Sequence, residues 1–383
     1  MGKGRQYMKF LHTSDLHLGK RLNEFSLIED QEYILNEILS IAVKEGVDGI
    51  IIAGDIYDKS VPSAEAVTLF DRFLVGLSKE KIPVYAISGN HDSAERVAFG
   101  GRLMEQSGVY LSPIYDGKLF SVTLSDEFGE ADIYLLPFVK PAHVRRYFGD
   151  EAISYTDALR LALKEADVSR RCILITHQFV TGASRTESEE ISVGGTDNVD
   201  ASVFSGFDYV ALGHLHRPQP CGEEWVRYSG TPLKYSFSEA NDEKSVTVVT
   251  LKGKGDVDVR AVPLSPRRDL TEIKGKYDEL VARSYYANAT FRENYLHVTL
   301  TDEEDVPDAI GKLRTVYPNL MKIDYDNART RASAFIGEEA DVERRTPLQL
   351  FEAFFALQND REMGEEQKSL VDQLIERTWE DEK

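Results

Sequence analysis

The stretch "DGIIIAGDIYD" (48–58) runs an unbroken apolar segment into a glycine and two carboxylates. Such a segment, with no polar residue in alternation, predicts a short strand covered on both faces, as in parallel α/β sheets. Gly and Asp are ordinary turn residues, so Asp55 alone could be no more than a turn. A carboxylate where a buried strand runs out also suits a metal ligand. The ends of the other strands decide between the two, because open α/β sheets bind ligands at the carboxyl ends of their strands.

Four further segments share this character: "KFLHTS" (9–14), "PVYAIS" (83–88), "RCILIT" (171–176) and "DYVALG" (208–213). The first leads into "SDLHLG", with Asp15 and His17 two residues apart and on one face if strand geometry persists. "PVYAIS" leads into "GNHD" (Asn90, His91, Asp92), "RCILIT" into "HQF" (His177) and "DYVALG" into "GHLH" (His214, His216). Five of the chain's eight histidines fall at these ends. Each alone reads as a turn Asp or a hydrogen-bonded surface His; together they predict a metal centre. Asp15, His17, Asp55, Asn90, His177, His214 and His216 are too many ligands for one tetrahedral zinc site. A shared carboxylate would let two ions take four protein ligands each and keep room for water, the arrangement that clamps a phosphoryl group. Imidazole-rich coordination favours Mn, Fe or Zn over Mg. His91, next to a ligand, is free to donate a proton or stabilise charge. Ligation needs neutral imidazoles, so activity should fall below about pH 6.

Helical periodicity fills the gaps between strands. "EDQEYILNEILSIAVKEG" (29–46) ends on a glycine suited to a C-cap, and "SAEAVTLFDRFLVGLSK" (63–79) carries one apolar face. Strand–helix alternation predicts an α/β layered fold, followed by antiparallel strands in "VRYSG", "SVTVVTL" and "VDVRAVPL". Composition changes at "PLSPRRD" (263–269). Beyond it a strand–helix–strand–helix–strand pattern predicts a small α+β domain. Residues 346–383 read as two helices, and Leu348, Leu350, Phe351, Phe354, Phe355 and Leu357 make the first too apolar for a free tail. The expected divisions are 8–265, 266–335 and 346–383. The segment 346–383 either lies in a partner's groove or packs on its own body.

With 65 acidic and 45 basic residues, the formal charge of −20 points away from a stand-alone nucleic-acid binder. Cations in a carboxylate-lined cleft, or a basic partner, would offset it. No run of about 18 apolar residues predicts a membrane span. "MGKGRQYMKF" lacks the apolar core of a signal peptide, and Met8 is an equally good start site. Two cysteines make no disulfide framework, which suits a reducing cytoplasm. No G-x-x-x-x-G-K-[ST] loop occurs, so control by ATP would come from another chain.

D-x-H, GD, GNH, H and GHxH in this order resemble the calcineurin-like metallophosphoesterase superfamily. "SVGGTDNVDASVFSGFDYVALGHLHRPQ" (192–219) and "YSGTPLKYSFSEAN" (228–241) narrow the resemblance to SbcD-type bacterial exonuclease subunits, from Met8 to the C-terminal helices. The resemblance implies a four-layer fold, a β-sandwich flanked by helices, with an α+β capping domain and C-terminal helices. It implies that Asp15, His17, Asp55 and His216 hold one divalent ion, Mn²⁺, and that Asp55, Asn90, His177 and His214 hold a second. His91 matches the family's catalytic histidine. Asp92 either orients and charges that imidazole or is a turn or cap residue. Asp58 stands where archaeal and eukaryotic relatives carry His, and is either a support behind the ligands or a turn residue.

The implied activity is hydrolysis of double-stranded DNA, as a 3′–5′ exonuclease and a hairpin-cleaving endonuclease in repair and recombination. The implied assembly is a homodimer within a heterotetramer, docked by its C-terminal helices on an SbcC-type coiled-coil ATPase that binds the ATP. Its setting is cytoplasmic, at the nucleoid when acting on DNA. Residues 63–79 and 95–107 are the expected dimer elements. The alternatives are a phosphodiesterase or phosphatase for small phosphoesters and a non-enzymatic metal scaffold; "GDIYDKS" lacks the Arg-Gly of the phosphoprotein phosphatases. His12, His143 and His297 have no motif partner and read as structural, and Arg96 as a solvated or ion-paired side chain. The loop 181–198 is expected to border the substrate cleft.

Overall fold

Alternating side chains on short buried strands need a cover on each face, and the chain supplies two different covers. The computed structural model describes residues 7–184 and 198–328, together with Thr330, Leu348, Phe351, Glu352, Phe355, Met363, Gly364 and 367–371. Most of the loop 181–198 and most of 346–383 lie outside the described residues. The chain divides into two compact units, Met1–Ile273, Val281–Val298 and Asp308–Ile323 in one, and Lys274–Leu280, Thr299–Pro307 and Asp324–Lys383 in the other.

The first unit holds the five strands read from the sequence: β1 (Met8–Thr13), β2 (Gly49–Ala53), β3 (Val84–Ile87), β4 (Arg171–His177) and β5 (Tyr209–Gly213). They belong to two six-stranded sheets. One has the order Val257–Pro263, Ser245–Leu251, β1, β2, β3, Val109–Leu111; the other runs Gln219–Cys221, Glu223–Tyr228, β5, β4, Gly129–Leu136, Phe120–Asp126. β1, β2 and β3 are parallel, with Phe10 opposite Gly49 and Ala53 opposite Ile87. β4 and β5 are parallel, with His177 opposite Gly213.

Alternation then sorts each strand's residues between two interiors. Phe10, Ile51, Ala53, Tyr85 and Ile87 meet Ile133, Leu135, Ile173, Ile175, Tyr209 and Ala211 between the sheets. Leu11, Ile50 and Ile52 face outward onto Ile34, Ile38, Phe70 and Phe73, from α1 (Ile28–Glu45) and α2 (Ala64–Lys79). Leu174, Val210 and Leu212 face Val144, Ala158 and Leu159 of the helices Pro141–Phe148 and Tyr155–Ala162. The result is helix, sheet, sheet, helix: the four layers implied by the resemblance. Each aliphatic side chain so buried contributes about 1.5–3 kcal/mol. α1 stops at Gly46, whose φ of 61° is the left-handed cap. α2 starts at Ser63, whose hydroxyl accepts the Ala66 N–H.

Two differences from the sequence reading stand out. Glu223–Tyr228 pairs in parallel with β5, and antiparallel only with the edge strand Gln219–Cys221. Alternation reports which faces of a strand are covered and says nothing about the direction of its neighbour. The hairpin Phe120–Asp126/Gly129–Leu136 extends the second sheet and was not anticipated; its signal was the alternation of Phe120, Val122 and Leu124 before a polar turn.

Leu270–Gly275, Tyr295–Leu300 and Leu320–Tyr325 form a three-stranded sheet in that order, the α+β element expected after residue 265. Within the first unit, the Tyr295 hydroxyl donates to Asp30 of α1 at 2.6 Å, and the Arg268 guanidinium pairs with the same carboxylate. Within the second unit, Asp302 accepts the Tyr277 N–H, and its carbonyl accepts the Asn327 amide. Among the described residues no helix is long and apolar enough to cross a membrane.

Candidate metal centre

Strand β1 ends at Thr13, so Asp15 and His17 do not reach the site by strand alternation. Both have left-handed backbones (φ 51° and 43°), as do Asp55 (48°) and His214 (106°). That conformation is costly for a side-chain-bearing residue and concentrates at functional sites. Here the two loops hold each other in it: Asp15 N–H donates to the Gly54 carbonyl and His17 N–H to the Asp55 carbonyl, both at 3.0 Å. Two glycines permit the close approach. A Cβ on Gly89 would fall 2.1 Å from Asp55 Oδ1, and one on Gly213 would fall 1.8 Å from the Ala53 carbonyl oxygen.

Asp55 lies at the middle. Its Oδ2 is 3.3 Å from His177 Nε2 and 3.8 Å from His17 Nε2, while its Oδ1 accepts the His91 N–H at 2.9 Å. Asn90 Oδ1 lies 2.9 Å from both His177 Nε2 and His214 Nδ1. His214 N–H donates to Asp15 Oδ1 at 3.0 Å. Ligand atoms of Asp15, His17 and His216 lie within 4.8 Å of one another, as do those of His17, Asp55 and His91, and of Asp15, Asp55 and His177. All seven side chains singled out from the sequence, and His91, are thus brought to one place.

Their chemistry suits a cation. Both ring nitrogens of the buried His17 lack a hydrogen-bond partner among the described residues, a costly state for an imidazole unless something else is bound. Burial holds His17 well below its usual pKa, hence neutral. Burial opposes ionisation of Asp55, but His177 and His17 outweigh it and hold the carboxyl well below the usual range. Burial pushes Asp15 up, to about 6. Two carboxylates this deep, with imidazoles around them, make a donor set that fits divalent transition ions.

The neighbours of the ligands divide the open readings. Asp92 accepts N–H groups of Ile56, Tyr57 and Gly89 at 2.9–3.0 Å. It therefore clasps the second loop to the third and does not hold the His91 ring, which corrects the reading of it as that ring's partner. Burial still raises its pKa, to about 6. The His91 ring instead has Nδ1 3.2 Å from the Asp58 carbonyl oxygen. The Asp58 carboxylate pairs with Lys20 at 2.8 Å and stands 3.8 Å from His17 Nδ1, behind a candidate ligand.

Other supports carried no positional signal. The Gln31 amide donates to the His17 carbonyl (2.8 Å) and accepts the Gly19 N–H, and the Tyr235 hydroxyl donates to the Leu16 carbonyl. Glu239 Oε1 stands 3.5 Å from His216 Nδ1, and Glu239 Oε2 accepts from Lys244 at 2.6 Å. Burial raises the Glu239 pKa, but His216 and Lys244 outweigh it and bring it to about 2. Tyr235 and Glu239 lie within the quoted string 228–241, yet nothing in their spacing marks them.

The remaining histidines sit apart from this cluster. His12 Nδ1 meets the Tyr209 hydroxyl at 2.9 Å, His143 Nδ1 accepts the Lys140 N–H, and His297 pairs with Glu272. Arg96 is exposed. The bridge between Val180 and Val199 closes the base of the loop 181–198; residues 185–197 lie outside the described set.

Residues 8–218 match the calcineurin-like phosphoesterase family, and 266–359 match the family described as the type 5 capsule protein repressor C-terminal domain. The SbcD subunit of the nuclease SbcCD from Staphylococcus epidermidis is 33% identical over 378 residues, covering 96% of this chain and 98% of that protein. Solved structures that match include a protein of Thermus thermophilus, 15% identical over 67% of this chain and 99% of the other, with a TM-score of 0.38. A dimetal phosphatase from Danio rerio is 12% identical over 68% of this chain and 100% of its own, at 0.39. The chain belongs to the calcineurin-like phosphoesterases, in the branch of the SbcD-type nuclease subunits.

Proposed function

We propose that this protein is the nuclease subunit of an SbcC–SbcD-type complex and hydrolyses phosphodiester bonds of double-stranded DNA with two divalent cations, Mn²⁺ in the cell. The observation that carries the reading is the gathering of six buried or half-buried ligand side chains and His91 around a seventh, Asp55. Asp15, His17, Asp55 and His216 would hold one ion; Asp55, Asn90, His177 and His214 the other. When bound, such a pair polarises the phosphodiester and makes an attacking water acidic.

The chain's own residues then orient and donate. The Asp58 carbonyl occupies His91 Nδ1 and so leaves Nε2 for the phosphate, where the ring can donate to the leaving oxygen. The clasp of Asp92 and the paired left-handed turns tie the ligand loops to one another.

The remaining assignments rest on family membership. Residues 266–335 are the capping, DNA-engaging domain, and 346–383 dock on an SbcC-type ATPase. A homodimer forms through α2 and 95–107, within a heterotetramer that works in the cytoplasm at the nucleoid. Phe99 and Leu103 are 84% and 78% exposed, an apolar face suited to that dimer contact.

The deciding assay gives purified protein, with Mn²⁺ and then Mg²⁺, blunt duplex, hairpin DNA and bis-p-nitrophenyl phosphate, with and without the ATPase and ATP. Cleavage of both DNA substrates is expected. Cleavage of the small diester with no DNA cut under any condition would replace this reading with a small-molecule phosphodiesterase.

A further inference from the structure

His216 is fixed from two sides by a single buried ion pair. Lys244 Nζ donates to the His216 carbonyl at 2.9 Å and to Glu239 Oε2 at 2.6 Å, while Glu239 Oε1 faces the His216 ring at Nδ1, 3.5 Å away. The three form a closed circuit, carbonyl to ammonium to carboxylate to imidazole, within one residue's reach. Glu239 is fully buried, and Lys244 and His216 are 5% and 3% exposed. The Thr231 N–H adds a second anchor on the same carbonyl.

A buried ion pair is weak support for stability, since apolar residues of equal volume serve as well or better. Placement explains this one better. The carboxylate takes the Nδ1 side of the ring and leaves Nε2 for the side that Asp15 and His17 share. The other half of the centre is backed differently: His177 Nδ1 meets the Ala53 peptide carbonyl at 2.8 Å, a neutral acceptor. A carboxylate behind an imidazole fixes its tautomer and makes it a stronger donor than a carbonyl does.

We propose that Glu239, itself held by Lys244, is a positioning residue that sets the orientation and donor strength of His216, so that the ion at Asp15, His17 and His216 is held more tightly than the other. This rests on the two-ion reading above. Lys244 keeps the carboxylate aimed, and by gripping the His216 carbonyl it stops ring and carboxylate from drifting apart.

Mn²⁺ binding to the full chain tests it, by equilibrium dialysis with metal analysis and by the Mn²⁺ electron paramagnetic resonance signal of coupled against isolated ions. Two variants are needed: Glu239→Gln, which removes the charge at constant size, and Glu239→Gln with Lys244→Met, which leaves no buried charge unpaired. The wild type should bind two equivalents in unequal steps. Both variants should weaken the tighter step by about 10–100-fold and blur the change from the isolated to the coupled signal that the wild type shows after its first equivalent, with the metal-free circular dichroism unchanged. A folded variant that binds both equivalents as the wild type does would overturn the proposal. Failure of both variants to fold would also overturn it, by making the pair scaffold. A wild type that binds fewer than two equivalents would instead sink the two-ion reading itself.

Discussion

The backbone N–H of His91 donates to Asp55 Oδ1 at 2.9 Å. The residue read as the proton donor and the residue read as the shared ligand are thereby tied by the main chain of one and a single carboxylate oxygen of the other, leaving the His91 ring to act independently. Asp55 keeps Oδ2 toward His177 and His17, and the His91 ring is steered from elsewhere.

Asp55→Asn should therefore remove the shared carboxylate without freeing the loop. Metal analysis after Mn²⁺ loading should show fewer than two ions per chain, and kcat should fall roughly 10²–10³-fold or more. Unchanged turnover in this variant would contradict the shared-ligand role.

His91→Ala should behave in the opposite way. The peptide N–H that meets Asp55 survives the substitution, so both ions should still bind. Loss of a positioned proton donor should lower kcat by about 10²–10⁴-fold. Metal content and single-turnover rates, measured on one preparation, separate this outcome from loss of a ligand.

Gly89→Ala examines the close approach. Its Cβ would meet Asp55 Oδ1 at 2.1 Å, a separation that forces the carboxylate or the loop to move. Weakened Mn²⁺ binding is expected although no ligand has changed, whereas Gly46→Ala, whose Cβ meets nothing, should bind both ions normally. Equal metal affinities in the two variants would show that the contact is absorbed elsewhere.

His12 supplies a pH signature away from the centre. Burial, then Arg227, lowers its pKa from 6.5 to about 3. Between these values the unfolded chain binds a proton that the folded chain refuses, so stability rises with pH from about 3 to 6.5. At about 1.4 kcal/mol per pH unit, this one group should cost roughly 2 kcal/mol at pH 5 relative to pH 7. His12→Gln, which can still meet the Tyr209 hydroxyl, should remove most of that difference in urea unfolding at the two pH values. An unchanged pH slope would show that the ring is not held neutral.

How far the site could be read in advance differs residue by residue. Asp15, His17, Asp55, Asn90, His177, His214 and His216 announced themselves because each stands at or just past the end of a buried run. Asp92 misled because its place beside His91 in the chain suggested a partner, while its carboxylate is spent on three peptide N–H groups. Glu239 and Lys244 gave no warning. A Glu and a Lys five apart in a polar loop look like solvated residues, and only burial shows otherwise.

The order of residues alone determined the five strands β1 to β5 and which polar side chains stand at their ends. It did not determine that β1, β2 and β3 lie in one sheet and β4 and β5 in another, with His177 of β4 reaching the Ala53 carbonyl of β2. An apolar run states that both faces of a strand are covered, not which neighbour covers them. Sheet membership comes from pairing between distant segments, and that pairing, settled only on folding, sets the spacing of the ligands.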